Sequence, residues 1–209
     1  METSLLIQKR LEAFGFVEID GVQSIEHALK LTSGLGSVRP LNGNYFQTLK
    51  PTNQQSATSP SFSRTHGYGR FPLHTDTSFW MVPARYVASY MTEASSTATV
   101  VLPSLPTREL MLRHMRLNPI FVRRTTSGAS YSSPWFGADS EFIVFDTCYM
   151  KPANSAAADF RDAVEACFEH SISITWPGLK MLIVDNWRAF HGRKRADDGN
   201  RTLHRFYRG

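Results

Sequence analysis

The sequence predicts a mainly β protein with flanking helices, built on a double-stranded β-helix, or jelly-roll, core. Three observations lead there. Short segments rich in β-branched and aromatic residues recur along the chain from Arg85 onward. Few stretches carry a helical period, and the clearest of them is amphipathic, as a helix lying outside a sheet must be. No internal repeat and no low-complexity tail suggests another architecture.

Leu5, Leu6, Leu11 and Phe14 follow an approximately helical period that gives way at Gly15 to the alternation Phe16-Val17-Glu18-Ile19-Asp20 and a turn at Gly21. The chain therefore opens with a helix and then a strand. Ser24 is placed as N-cap of a second short helix carrying Glu26, His27, Ala28, Leu29 and Leu31, which Gly34 or Gly36 ends. From Asn42 to Pro72 the chain is rich in Asn, Gln, Ser, Thr, Gly and Pro, so one long loop is expected. Strands are expected at Arg85–Met91, Thr97–Leu102, Ile120–Arg123 and Glu141–Phe145. Leu105–Met115 reads as a helix, and so does Ala156–His170, where Phe160, Val164, Cys167 and Phe168 form one stripe. Strands return at Ser171–Ile174, Lys180–Val184 and Arg201–Tyr207.

A length of 209 residues with 42% hydrophobic content supports one well-buried core, so residues 1–209 read as a single domain. Charge follows directly on a short apolar stretch at Met1–Arg10, the reverse of a secretory signal, and no apolar run has membrane-spanning length. A cytoplasmic protein with no membrane partner is expected. Cys148 and Cys167 are the only cysteines, which suggests free thiols rather than a disulfide framework or thiolate cluster. The net charge of +5 and pI near 9.4 could attract nucleic acid. The excess is concentrated in Arg188, Arg193, Lys194, Arg195, Arg201, Arg205 and Arg208, near the candidate site, where a small anion is an alternative partner. Arg193, Lys194 and Arg195 also fit a solvated turn ending in Ala196-Asp197-Asp198-Gly199-Asn200.

The candidate site begins at His74-Thr75-Asp76. In an extended segment side chains alternate, so His74 and Asp76 share a face while Thr75 turns into the wall. His191, from a distant strand, supplies a second imidazole. Two histidines and one carboxylate are the facial set that holds Fe(II) and leaves positions open for substrate and O2.

Leu73-His74-Thr75-Asp76-Thr77 with Pro83-Ala84-Arg85-Tyr86-Val87, and Val184-Asp185-Asn186-Trp187-Arg188-Ala189-Phe190-His191-Gly192-Arg193 with Arg201-Thr202-Leu203-His204-Arg205, together resemble one family. The chain resembles the Fe(II)/2-oxoglutarate-dependent oxygenases, in the branch of taurine dioxygenase and clavaminate synthase. The resemblance implies that His74, Asp76 and His191 bind iron and that Arg201 grips the distal carboxylate of 2-oxoglutarate. Thr99 matches a threonine that adds a hydroxyl bond to that carboxylate, with Thr97 one pleat away on the same side. Arg205 shares a strand face with Arg201, about 13 Å along it, and matches the arginine that holds the prime substrate's acidic group. The implied reaction turns 2-oxoglutarate and O2 into succinate and CO2 while hydroxylating an unactivated carbon of a small, carboxylate-bearing or amino-acid-like molecule. Halogenating relatives carry a small residue where Asp76 stands, which favours hydroxylation. The chain is short for the family, so the pocket is compact or open, or a partner in a homo-oligomer covers it.

Simpler readings stand beside these. His27, His114 and His170 read as ordinary polar residues, and His204, opposite Arg201, as structural. His66, beside Arg64, Tyr68 and Arg70, fits a substrate-binding lid or an ordinary surface loop. Trp187 and Phe190 read as packing, Asp185 and Asn186 as a turn bonded to its own backbone, and Phe79 and Trp80 as core or cavity wall. Two other functions compete: oxidative demethylation of alkylated nucleic acid, disfavoured because no base-stacking, phosphate-binding segment is evident, and a non-catalytic jelly-roll binding module. A protein hydroxylase of the jumonji type commonly uses lysine to hold the co-substrate, where this chain has Arg201.

Overall fold

The computed structural model describes residues 2–136, 142–196 and 201–209. In chain order the elements are α1 (Glu2–Phe14), β1 (Phe16–Asp20), α2 (Ile25–Leu31), β2 (Val38–Arg39), β3 (Gln47–Leu49), α3 (Phe62–His66) and β4 (Phe71–His74). There follow β5 (Tyr86–Met91), β6 (Ser95–Leu102), α4 (Ser104–Met115), β7 (Phe121–Thr125), β8 (Gly128–Ser132), β9 (Trp135–Phe136), β10 (Phe142–Ile143) and β11 (Met150–Pro152). The chain ends with α5 (Ser155–Ala166), β12 (Ile172–Trp176), β13 (Lys180–Asp185), β14 (Phe190–Arg193) and β15 (Leu203–Arg208).

Two antiparallel sheets form the centre. The larger runs β1-β13-β5-β15-β2, with β3 also on β15, and the smaller runs β12-β6-β14-β4. Residue alternation along the central strands explains how they stack. Leu182 and Val184 of β13, Val101 of β6, Ile174 and Trp176 of β12 and Leu203 of β15 share one buried cluster between the sheets. The intervening Met181 and Ile183 face outward to meet Ile7 and Leu11 of α1 and Ala28 of α2. On the other side, Val100, Leu102 and Phe190 pack on Leu110 and Met111 of α4 and Phe160 and Val164 of α5. Helices thus cover both outer faces of a jelly-roll sandwich, as expected from the sequence.

The local signals act as read. Ser24 accepts from His27 N at 3.1 Å to cap α2, and Gly15 adopts φ 78° where α1 turns into β1. Both cysteines are free. Among the described residues, no helix is long and apolar enough to cross a membrane.

Four expectations need correction. The expected loop from Asn42 to Pro72 contains β3, α3 and the start of β4; each is short and gets its order from pairing or capping, such as Ser61 accepting from Arg64 N. The helix expected through His170 ends at Ala166 and tightens into a 3-10 turn, Cys167–His170. Strands β8 and β9 lie outside the expected strands: Gly128–Ser132, exposed except at Ser132, is ordered by hairpin pairing with β7 rather than by an apolar face, and β9 by pairing with β10. Of the strand expected at Glu141–Phe145, only Phe142–Ile143 is regular, and Glu141 lies outside the described residues, as do residues 197–200 of the expected turn.

Candidate active site

Pairing of β14 with β4 sets His191 directly opposite His74, and their rings lie 4.6 Å apart between centroids. Leu73 and Phe190 point into the outer core, so the next residue on each strand turns toward the space between the sheets. The approach of these strands demands glycine next. A Cβ at Gly192 would sit 2.7 Å from the Phe71 carbonyl oxygen.

Asp76 arrives differently from expectation. β4 stops at His74 and Asp76 lies in a turn, so strand alternation does not place it. Asn186 does: its Oδ1 accepts from Asp76 N at 2.7 Å, and its Nδ2 donates to Asp76 O at 3.0 Å and Ala84 O at 2.9 Å. Thr75 does turn into the wall, exchanging bonds with Phe145. Asp185 accepts from Trp187 N at 3.2 Å, the expected local turn. Asn186 instead reaches across 110 positions of sequence, which local turn chemistry cannot reveal.

The donor set is preorganised. His74 Nδ1–H donates to the Pro72 carbonyl at 2.8 Å, leaving Nε2 bare toward Asp76. Asp76 Oδ1 stands 3.5 Å from His74 Nε2 and 3.6 Å from His191 Nε2. One donor atom from each of the three residues falls within 4.8 Å of the others. Both nitrogens of the buried His191 lack a hydrogen-bond partner, and a cation bound at Nε2, which faces Asp76, would compensate that one. These residues fit a metal with a nitrogen, nitrogen, oxygen set.

Electrostatics keep two of the donors, His191 and Asp76, deprotonated. Burial pushes the His191 imidazole down to about 4. Burial alone would raise the Asp76 carboxyl, but the Arg205 guanidinium and His191 outweigh it and hold the group well below the usual carboxylate range.

A cavity of about 160 Å³ opens over this set. Its walls include Leu49, Lys50, Phe62, Phe71, Thr99 and Leu203, and three arginines, Arg193, Arg201 and Arg205. Arg201 is buried and donates from Nη2 to Thr99 Oγ1 at 3.0 Å, while its Nε has no partner. Burial pushes Arg201 down to about 9, so it stays charged at neutral pH. No carboxylate pairs with it among the described residues, so the cavity wall carries a desolvated cation whose chemistry suits an anionic group. Arg193 donates to the carbonyls of Gly67 and Gly69 at 2.8 Å each and lies over the Phe71 ring.

The structure thus brings together His74, Asp76, His191, Thr99, Arg201 and Arg205. Thr97 does not line the cavity. His66 lies on a separate depression with Arg70 and Glu165, and its neighbours Phe62 and Ser63 reach the cavity instead. Arg208 is directed elsewhere, bonding Thr32, Gly36 and Leu29 beneath the large sheet. Trp187 donates to the Pro83 carbonyl at 3.0 Å and Phe190 is fully buried, both as packing. Phe79 and Trp80 pack beside Val87 and Tyr207.

No family model matches the chain, and no curated protein matches it. Solved structures do. An asparagine oxygenase in complex with Fe(II), 2S,3S-3-hydroxyasparagine and succinate aligns at TM-score 0.74, with 16% identity, over 99% of this chain and 77% of that one. The chain has the fold of the Fe/2-oxoglutarate-dependent oxygenases. PvcB of Pseudomonas aeruginosa, an Fe, alpha-ketoglutarate dependent oxygenase from an isonitrile synthetic pathway, shares this oxygenase fold at TM-score 0.69 and 13% identity, over 98% of this chain and 79% of that one. So does the non-heme iron oxygenase OrfP, in complex with Fe, succinate and (3S)-hydroxy-L-Arg, at TM-score 0.68 and 15% identity, over 99% and 78%.

Proposed function

We propose that this protein is an Fe(II)- and 2-oxoglutarate-dependent hydroxylase of a small carboxylate-bearing or amino-acid-like molecule. One observation carries the reading: a His74, Asp76, His191 donor set and an uncompensated buried cation, Arg201, line the same cavity. A binding module without turnover has no evident need for both. Neighbours of the same fold, crystallised with Fe, succinate and hydroxylated amino acids, support it.

In this reading His74 Nε2, Asp76 Oδ1 and a His191 ring nitrogen hold Fe(II). The iron, when bound, supplies the redox chemistry that couples decarboxylation of 2-oxoglutarate, with O2, to insertion of one oxygen atom into a C–H bond, giving succinate and CO2. The chain's own work is placement and exclusion of water. Arg201 and Thr99 grip the distal carboxylate of the co-substrate. Arg205 keeps one nitrogen on Asp76 and has further N–H groups to offer a substrate carboxylate across the metal. Lys50 adds positive charge at the wall, while Leu49, Phe62, Phe71 and Leu203 line the rest with apolar surface. His66 stays a surface residue in this assignment.

The test is a succinate-release screen with Fe(II), 2-oxoglutarate and O2 over amino acids and small carboxylic acids. The expected result is substrate-stimulated succinate that His74→Ala and Asp76→Ala abolish. Turnover of 2-oxoglutarate that survives both substitutions would refute the proposal.

A further inference from the structure

Trp176 is the last residue of β12 and is almost wholly buried between the sheets. The ladder there is irregular. Ile174 pairs with Thr99, yet Trp176 pairs with Ser95, so β6 carries extra residues against β12. A bulge of this kind re-aims a side chain, often beside a site. The indole is directed back to Thr99, and its Nε1–H donates to Thr99 Oγ1 at 3.1 Å.

Thr99 Oγ1 accepts a second bond, from Arg201 Nη2 at 3.0 Å. A hydroxyl has two lone pairs and one proton. Both lone pairs are claimed by these N–H donors, so the proton is left for a third partner, and Thr99 lines the cavity. Arg201 also lies 5.8 Å from the centre of the Trp176 ring, at the edge of cation–π range. One indole therefore contacts both groups proposed to hold the co-substrate carboxylate.

We infer that Trp176 is a positioning residue: its indole N–H fixes Thr99 as an obligate hydrogen-bond donor toward the carboxylate held by Arg201. The inference rests on the co-substrate assignment proposed above. Without the indole N–H, a Thr99 lone pair is free and the hydroxyl rotor loses its orientation, so the donor must be ordered on binding. A purely structural tryptophan would lower stability and leave this coupling to Thr99 untouched.

The test is calorimetric binding of 2-oxoglutarate to the Mn(II)-loaded protein, which needs no turnover, for wild type, Trp176→Phe, Thr99→Val and the double variant. Trp176→Phe is expected to weaken binding about fivefold, the range of one hydrogen bond. In the Thr99→Val background it should cause no further loss, since the acceptor is gone. Thr99→Ser, which keeps the hydroxyl, should preserve the sensitivity to Trp176→Phe. If Trp176→Phe fails to fold, benzothienylalanine placed at 176 by codon suppression removes only the N–H and should give the same fivefold effect. Binding unchanged by loss of the N–H, or weakened equally with and without the Thr99 hydroxyl, overturns the inference. A wild-type protein that binds Mn(II) but no 2-oxoglutarate overturns the co-substrate assignment beneath it, a distinct result.

Discussion

Arg205 Nη1 donates to Asp76 Oδ2 at 2.7 Å, while Oδ1 of the same carboxylate faces the imidazoles of His74 and His191 at 3.5 and 3.6 Å. The two oxygens thus have separate partners. One is anchored and the other is presented toward the histidines, which suits a single-oxygen metal ligand. Removing the anchor frees the carboxylate to rotate and withdraws the charge that keeps it ionised. Arg205→Met should weaken metal binding by about tenfold to a hundredfold, measured by competition with a chelating dye, and should raise the prime substrate's KM. Unchanged metal affinity would show that the anchor is dispensable.

Asn186 joins the turn that precedes β14 to the turn that carries Asp76, through bonds to Asp76 N, Asp76 O and Ala84 O. All are made by one fully buried amide. Asn186→Ala leaves those backbone groups unsatisfied and should cost about 3 kcal/mol, a fall in Tm of roughly 10 °C for a chain of this size. Asn186→Asp keeps an acceptor for Asp76 N but loses both donated bonds, and it should also fail to restore metal affinity. Scanning calorimetry with and without Mn(II) checks both: the metal-induced rise in Tm should shrink in each variant.

His191 gives a pH dependence with a definite sign. Its folded value near 4 lies below the 6.5 of an exposed histidine. Between those values the unfolded chain binds a proton that the folded chain refuses, so this group makes stability rise with pH from about 4 to 6.5 and level off above. Asp185, pushed up to about 6 by burial, acts in the opposite direction over part of the same window. The His191 contribution is isolated by difference. The stability of metal-free wild type minus that of His191→Asn, from urea unfolding, should increase by about 3 kcal/mol across the window. A flat difference would mean that His191 titrates normally.

Arg201 shows a conflict between stability and function. It is buried with no carboxylate partner among the described residues, and replacing an uncompensated buried charge with an apolar side chain tends to stabilise. Arg201→Met should raise the Tm of the ligand-free protein while weakening 2-oxoglutarate binding at least a hundredfold. A lower Tm would place Arg201 among structural residues.

The sandwich was legible because β5, β6 and β13 alternate toward distinct apolar layers, and because α5 has an apolar stripe. The donor set was legible because His74, Asp76 and His191 are spaced as a recognisable pattern with Arg201 and Arg205 beyond. What stayed hidden depends on contacts distant in sequence. β3 has no apolar face of its own and is ordered by pairing with β15. Asn186 looks like a turn residue until Asp76 is beside it. The bond between Arg205 and Asp76 spans 129 positions; strand geometry gives Arg205 only a face shared with Arg201, and the family resemblance points it only toward a substrate. Trp176 carried no motif, because its role comes from a bulge that no periodicity reports. His66 drew attention by residue type, whereas the capped turn of α3 directs Phe62 and Ser63 to the cavity.

In the proposed function His74, Asp76 and His191 hold one metal, and Arg201 with Thr99 holds one keto acid beside it. Anaerobic titration of the Fe(II)-loaded protein with 2-oxoglutarate, followed by visible absorption, tests this arrangement most directly. A saturable metal-to-ligand charge-transfer band is expected in the wild type, lost in His191→Ala and Asp76→Ala, and shifted to far higher 2-oxoglutarate concentration in Arg201→Met. A wild-type protein that shows no band, or variants that titrate as the wild type does, would contradict it.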